Sequence, residues 1–209
     1  MTMLPRGLYA ITPDEPDTER LLALVQAALN GGAAIVQYRN KVANMELRHE
    51  QALALQRICR PAGVPLIIND DLEIALAIDA DGVHLGGEDG DLAAARSRLG
   101  PDKLLGASCY NRLEMAVEAR NRGADHVAFG AMYTSSTKPG AIRAPLELFG
   151  QAAAAVGLPT VAIGGITLDN TPPLIHAGAH ATAVISALFG APDVTQRARD
   201  FTRLFNQAQ

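Results

Sequence analysis

The sequence predicts one α/β domain, a (β/α)8 TIM barrel over residues 1–209, on three observations. Short apolar runs recur eight times. The segments between them are rich in Ala, Leu and Arg and carry helical periodicity, the alternation of a parallel barrel inside a ring of helices. Charged and hydroxylated residues gather where the apolar runs end, at the C-terminal strand ends where such barrels build active sites.

The strands are expected at 7–12 (GLYAIT), 34–39 (AIVQYR), 65–70 (PLIIND), 82–86 (GVHLG), 104–108 (LLGAS), 126–130 (HVAFG), 160–165 (TVAIGG) and 181–187 (ATAVISA). After the first comes an amphipathic helix at 19–30, stopped by Gly31-Gly32. The next is expected at 45–60, stopped by Pro61 and Gly63, and a short one at 71–78. Residues 91–99 form a helix before Gly100-Pro101, and 111–121 one capped by Asn111 and stopped at Gly123. Helices at 145–155, at 169–177 with Pro172 and Pro173 near its start, and at 193–207 complete the set. The phrases GGAAI, AGVPL, DADGV, RGADH and AGAHA each read as a helix-ending glycine followed by a buried parallel strand. The longest irregular stretch, 131–144 (AMYTSSTKPGAIRA), follows the sixth strand and reads as a mobile anion-binding flap.

Apolar residues make up 48% of the 209, enough for a packed core. A net charge of −4 gives no electrostatic case for nucleic acid or an anionic membrane as partner. No stretch approaches the ~18 apolar residues of a membrane helix. MTMLPRGLYAIT has no secretory h-region, and Cys59 and Cys109 form no CxxC pair, so reduced thiols in a cytoplasmic protein are expected. A homo-oligomer is compatible with the sequence.

Only three of the eighteen basic residues are lysines. Lys41 and Lys138 fall just after strands, whereas Lys103 reads as ordinary surface. Gln37, Arg39 and Lys41 alternate, so extended backbone sets all three on one face, suited to a phosphate or pyrophosphate. The alternative for Arg39 is pairing with an acid across the barrel mouth. Asn69-Asp70-Asp71 ends the third strand and Glu88-Asp89 follows the fourth. Asp70 and Asp89 suit Mg²⁺, which takes few protein carboxylates and shares a substrate phosphate; Asp71 reads better as a helix cap. Ser108 closes the fifth strand. Gly164-Gly165 ends the seventh strand, and Ile185-Ser186 precedes a stretch (ALFGA) able to form a short extra helix. These last loops are the usual phosphate site of such barrels. Two anion sites imply two phosphorylated small-molecule substrates.

Histidine offers no rival chemistry. His84 reads as a core histidine, His126 as lying at the face opposite the active site, and His49, His176 and His180 as helical or at helix ends. No zinc spacing, Ser–His–acid set or strand lysine for a Schiff base is evident.

Taken in order, GLYAIT, QYRNK, INDD, GVHLGGED, GAS, FGAMYTSSTKPGA, AIGGITLDN and AVIS resemble the thiamine-phosphate synthase family over nearly the whole chain. The resemblance implies an alkyl transfer that joins hydroxymethylpyrimidine diphosphate to a thiazole phosphate, giving thiamine phosphate and pyrophosphate. It implies that Gln37, Tyr38, Arg39, Asn40, Lys41, Asn69, Ser108 and Lys138 bind the pyrimidine diphosphate. Of these, Arg39, Lys41, Ser108 and Lys138 would serve catalysis. Asp70 and Asp89 would hold Mg²⁺, and Ser135, Ser136, Thr137, Gly165, Ile185 and Ser186 would bind the thiazole phosphate. The chain departs from the family pattern at Gly87, where a Gln is common, and at Thr134-Ser135-Ser136, where the flap usually carries a proline. Cys109 and Tyr110 stand where some relatives have His or Thr after the serine. The implied mechanism is dissociative and needs no general base. An isomerase on the same barrel and a non-catalytic phosphometabolite sensor remain as alternatives.

Overall fold

Eight runs of Leu, Ile, Val and Ala, each four to seven residues long, pair in parallel with their chain neighbours and close into a barrel in the order β1-β2-β3-β4-β5-β6-β7-β8. The strands are β1 (Gly7–Ile11), β2 (Ile35–Tyr38), β3 (Leu66–Asn69), β4 (Gly82–Leu85), β5 (Leu104–Tyr110), β6 (His126–Phe129), β7 (Thr160–Ile163) and β8 (Ala181–Val184). This is a computed structural model, and it describes residues 3–87, 90–134 and 142–208. Between the strands run α1 (Thr18–Asn30), α2 (Met45–Ala62), α3 (Leu72–Ala77), α4 (Leu92–Leu99), α5 (Leu113–Asn121), α6 (Glu147–Ala155) and α7 (Thr171–His176). The short α8 (Ser186–Phe189) and α9 (Val194–Gln207) follow β8. The ALFGA stretch thus supplies the expected extra turn. No described helix is long and apolar enough to cross a membrane.

Side-chain alternation divides the barrel in two. Outward positions such as Leu8, Val36, Ile68, Val83, Leu105, Val127 and Val184 join the helices in the larger core. Inward positions such as Tyr9, Ile35, Ile67, Leu104, Ala128 and Val161 fill the barrel itself. Helix starts are fixed by acceptors: Asp17, Asn44, Asp71, Asp91 and Asp193 each take a backbone N–H in the first turn, worth about 1 kcal/mol apiece. Asp71 is therefore a cap, as expected. Cys59 and Cys109 are free and buried, and burial raises both thiols to about 12.

Three expectations about helix ends are corrected. Pro61 does not stop α2, which runs on to Ala62 and ends where Gly63 turns left-handed at φ 66°. A proline in the last turn forfeits one backbone bond, and its φ is already helical. Asn111 does not cap α5: β5 extends to Tyr110, the chain turns there, and the cap position falls to Arg112 without a side-chain bond. The helix expected at 145–155 begins only at Glu147, because the loop after β6 reaches further.

Candidate active site

Parallel closure brings all eight C-terminal strand ends to one mouth. β2 ends at Tyr38, so Gln37 lies within the strand while Arg39 and Lys41 follow it. Gln37 is buried and donates from Nε2 to the Tyr9 hydroxyl oxygen at 3.2 Å. Arg39 Nη1 pairs with Asp14 Oδ1 at 2.9 Å. That acid sits on the adjoining β1–α1 loop, and the same oxygen accepts from the Lys41 backbone N–H at 2.7 Å. Thr12 completes the join: its Oγ1 bonds the Arg39 carbonyl and N–H, both at 2.8 Å. Asp14 and Thr12 were not among the expected site residues. Their signal was polar residues directly after the first strand.

The intervening residues point elsewhere. The Tyr38 hydroxyl donates to Gln51 Oε1 on α2 at 2.9 Å. Asn40 Nδ2 donates to the Glu15 carbonyl and Gln51 Oε1, while its Oδ1 accepts from the Val42 and Ala43 N–H groups. These side chains shape the loop, so any ligand contact from Tyr38 or Asn40 falls to their backbone.

At the end of β3, Asp70 takes left-handed backbone, φ 62°, which Asp tolerates better than most residues. Its carboxylate accepts from Lys41 Nζ and from Asn69 Nδ2, the latter at 2.6 Å. Lys41 and Asp70 thus pair directly. Arg48 on α2 reaches Asp71 at 3.4 Å and lines a small recess beside Lys41, Asn69 and Asp70. Lys41 and Asn69 both bond the same oxygen, Asp70 Oδ2, and a hard carboxylate oxygen is the type of ligand Mg²⁺ takes from protein. No group of three or more His, Cys, Asp and Glu among the described residues forms an all-protein cage.

Ser108 lies on β5, and its Oγ is 3.0 Å from His84 Nε2 on β4. His84 is enclosed. Burial pulls its imidazole down to about 4, against the opposing pull of the Asp70 carboxylate, so the ring is neutral at pH 7. It is a buried residue that reaches a strand-end serine.

The β7 loop meets the loop after β6. Gly164 (φ 100°) and Gly165 (φ 66°) leave no space for a side chain: a Cβ on Gly165 would stand 2.5 Å from the Thr134 carbonyl. Tyr133 N–H donates to the Gly164 carbonyl and its hydroxyl to the Asn170 carbonyl, while Asn170 Nδ2 donates to the Gly165 carbonyl. Arg143 Nη2 donates to Thr134 Oγ1 at 2.8 Å. Ile185 precedes α8, and Ser186 is its exposed first residue. The expected ligands Asp89, Ser135, Ser136, Thr137 and Lys138 lie outside the described residues.

Comparison with known proteins bears on the family and the fold. Residues 8–188 match the family model for thiamine monophosphate synthase. The chain is similar to the thiamine-phosphate synthase of Methylobacillus flagellatus, 59% identical over 96% of each chain. The corresponding protein of Thiobacillus denitrificans is 55% identical over 98% of this chain and 97% of its own. Among solved structures, a thiamine phosphate pyrophosphorylase from Pyrococcus furiosus superposes with a TM-score of 0.84 at 34% identity, over 97% of this chain and 96% of that one.

Proposed function

The chain belongs to the thiamine monophosphate synthase family, and from that premise we propose the substrates and mechanism of its transfer reaction. The electrophile is 4-amino-2-methyl-5-hydroxymethylpyrimidine diphosphate. The nucleophile is 4-methyl-5-(2-phosphoethyl)thiazole. The bond from the pyrimidinylmethyl carbon to the diphosphate oxygen breaks, and its electron pair leaves with pyrophosphate. The thiazole nitrogen lone pair then forms the new C–N bond, giving thiamine phosphate. No proton has to be removed from the nucleophile, so a mouth without a solvent-facing histidine base is adequate.

The observation that carries this reading is the cluster of Arg39, Lys41, Asn69 and Asp70 at the ends of β2 and β3, with the Ser108 hydroxyl reached through His84, the register partner of Asn69. Arg39, Lys41 and Lys138 stabilise charge that develops on the leaving diphosphate. Gln37, Asn69 and Ser108 orient the pyrimidine. Asp70 and Asp89 would hold Mg²⁺, which when bound adds charge neutralisation at that leaving group. Gly165, Ile185, Ser186 and residues Ser135 to Thr137 seat the thiazole phosphate and bring the two reacting atoms together.

The test is turnover of pyrimidine diphosphates that differ in ring substituent, with and without Mg²⁺. Loss of electron density at the reacting carbon should slow the reaction by orders of magnitude while binding is retained, and chelation should abolish pyrophosphate release. Equal rates across the substituents would exclude a dissociative step.

A further inference from the structure

The barrel interior carries more polar groups than the reaction uses. Asn69, His84, Gly106 and His126 are consecutive register partners across β3, β4, β5 and β6, so they share one inward-facing row. Gly106 is the gap in that row. A Cβ there would stand 2.4 Å from His84 Nδ1 and 2.3 Å from His126 Nε2, so both nitrogens converge on one point. Their ring centroids are 5.6 Å apart. An N–H···N bond of about 3.0 Å between two imidazoles places the centroids ~5.3 Å apart, which a small ring rotation reaches. Yet His84 Nδ1 and both His126 nitrogens are buried without a partner among the described residues. A neutral imidazole has one donor and one acceptor to satisfy, and leaving them unmet is costly.

Direction follows from the other end of the row. The Tyr9 oxygen already accepts from Gln37 Nε2, so its own hydrogen must be given away. His126 is its aromatic neighbour, with centroids 6.3 Å apart. A Tyr9 hydrogen turned to His126 Nδ1 would make that nitrogen the acceptor and leave Nε2–H as the donor.

We propose that His126 is a positioning residue for Ser108: it donates from Nε2 to His84 Nδ1, which fixes the His84 proton on Nε2, directs that N–H onto the Ser108 oxygen, and leaves the Ser108 hydroxyl proton pointing into the mouth. The polarity runs from Gln37 through Tyr9, His126 and His84 to Ser108, and both ends of this chain contact the pyrimidine on the reading above, on which the proposal rests. Ser108 therefore presents a donor, and the substrate atom it selects is an acceptor such as a ring nitrogen.

Nitrogen-15 NMR of the ring nitrogens in the wild-type protein tests this without any variant. His84 and His126 should both carry the proton on Nε2; a His84 found with its proton on Nδ1 overturns the proposal. His126→Phe, which keeps an aromatic ring and removes both nitrogens, should release the His84 tautomer and raise KM for the pyrimidine diphosphate about tenfold, leaving KM for the thiazole phosphate unchanged. His126→Gln, able to donate and accept, should recover most of that loss. A loss of thermal stability with neither change would make His126 a packing residue only and overturn the proposal. Ser108→Ala, measured in parallel, separates the two claims. If it leaves turnover untouched, the substrate reading of Ser108 fails. If it impairs turnover while His126→Phe does not, only the positioning role fails.

Discussion

Replacing Gly106 by Ala puts one methyl group into a crowded point of the barrel. That methyl would lie 2.3 Å from His126 Nε2 and 2.4 Å from His84 Nδ1. Ordinary contacts stand at about 3.5–4.0 Å, so each ring must retreat by ~1 Å. The backbone offers no relief through an unusual conformation, since Gly106 lies within a regular strand and has no positive φ. Overpacking of this kind costs about 1–3 kcal/mol of stability. The effect on activity should be larger than that figure implies. His84 holds Ser108 at 3.0 Å, and a retreat of ~1 Å breaks that bond, while displacements of ~1 Å at a positioned group cost about 100-fold in rate. The assay is kcat/KM under conditions where circular dichroism shows the variant folded. A folded Gly106→Ala protein with kcat/KM within twofold of wild type would refute the claim that the buried histidine row supports the mouth.

Three further outcomes are expected. Asp70→Asn should lower kcat/KM by about 100-fold or more and raise the Mg²⁺ concentration needed, because Asn keeps the left-handed backbone but loses the carboxylate charge; an unchanged Mg²⁺ response would remove Asp70 from the metal. His84 titrates near 4 folded and at 6.5 unfolded, so the unfolded chain binds the proton first, and stability is full above pH 6.5 and falls as pH drops toward 4, by about 3 kcal/mol from His84 alone. His126 is lowered too and adds in the same direction, so denaturant melts of His126→Phe between pH 6.5 and 5 should show a shallower slope than wild type. Gly150→Ala, on the exposed side of α6 with nothing within 4 Å of the new methyl, should stabilise the fold by about 0.5–1 kcal/mol, raise Tm by a few degrees, and leave activity unchanged.

The barrel was legible because its signals are local. Apolar runs of strand length recur eight times, glycines follow many of the helices and an Asp or Asn caps five of them, and each names its element without long-range information. The place of Gln37 was legible for the same reason, since it lies within β2, whereas Arg39 and Lys41 follow the last strand residue, Tyr38. Partners were harder to read. Asp14 and Thr12 reach Arg39 across some 25 residues of chain, and nothing local marks Asp14 as the acid that holds it. His126 was placed from its position at the start of β6, far from the mouth along the strand. Strand tilt in a closed barrel shifts the register so that the start of β6 is level with the end of β3, which brings His126 to His84. Tyr38 and Asn40 were included in the site by motif continuity, whereas the pleat turns their side chains to α2.

The central claim is that one mouth joins two phosphorylated rings, and product stoichiometry tests it most directly. Purified protein is supplied with the pyrimidine diphosphate, the thiazole phosphate and Mg²⁺, and thiamine phosphate and pyrophosphate are quantified together. Equal amounts of the two products, with neither formed when one substrate is omitted, are predicted. Binding of both substrates without thiamine phosphate, or pyrophosphate release independent of the thiazole, would contradict the account.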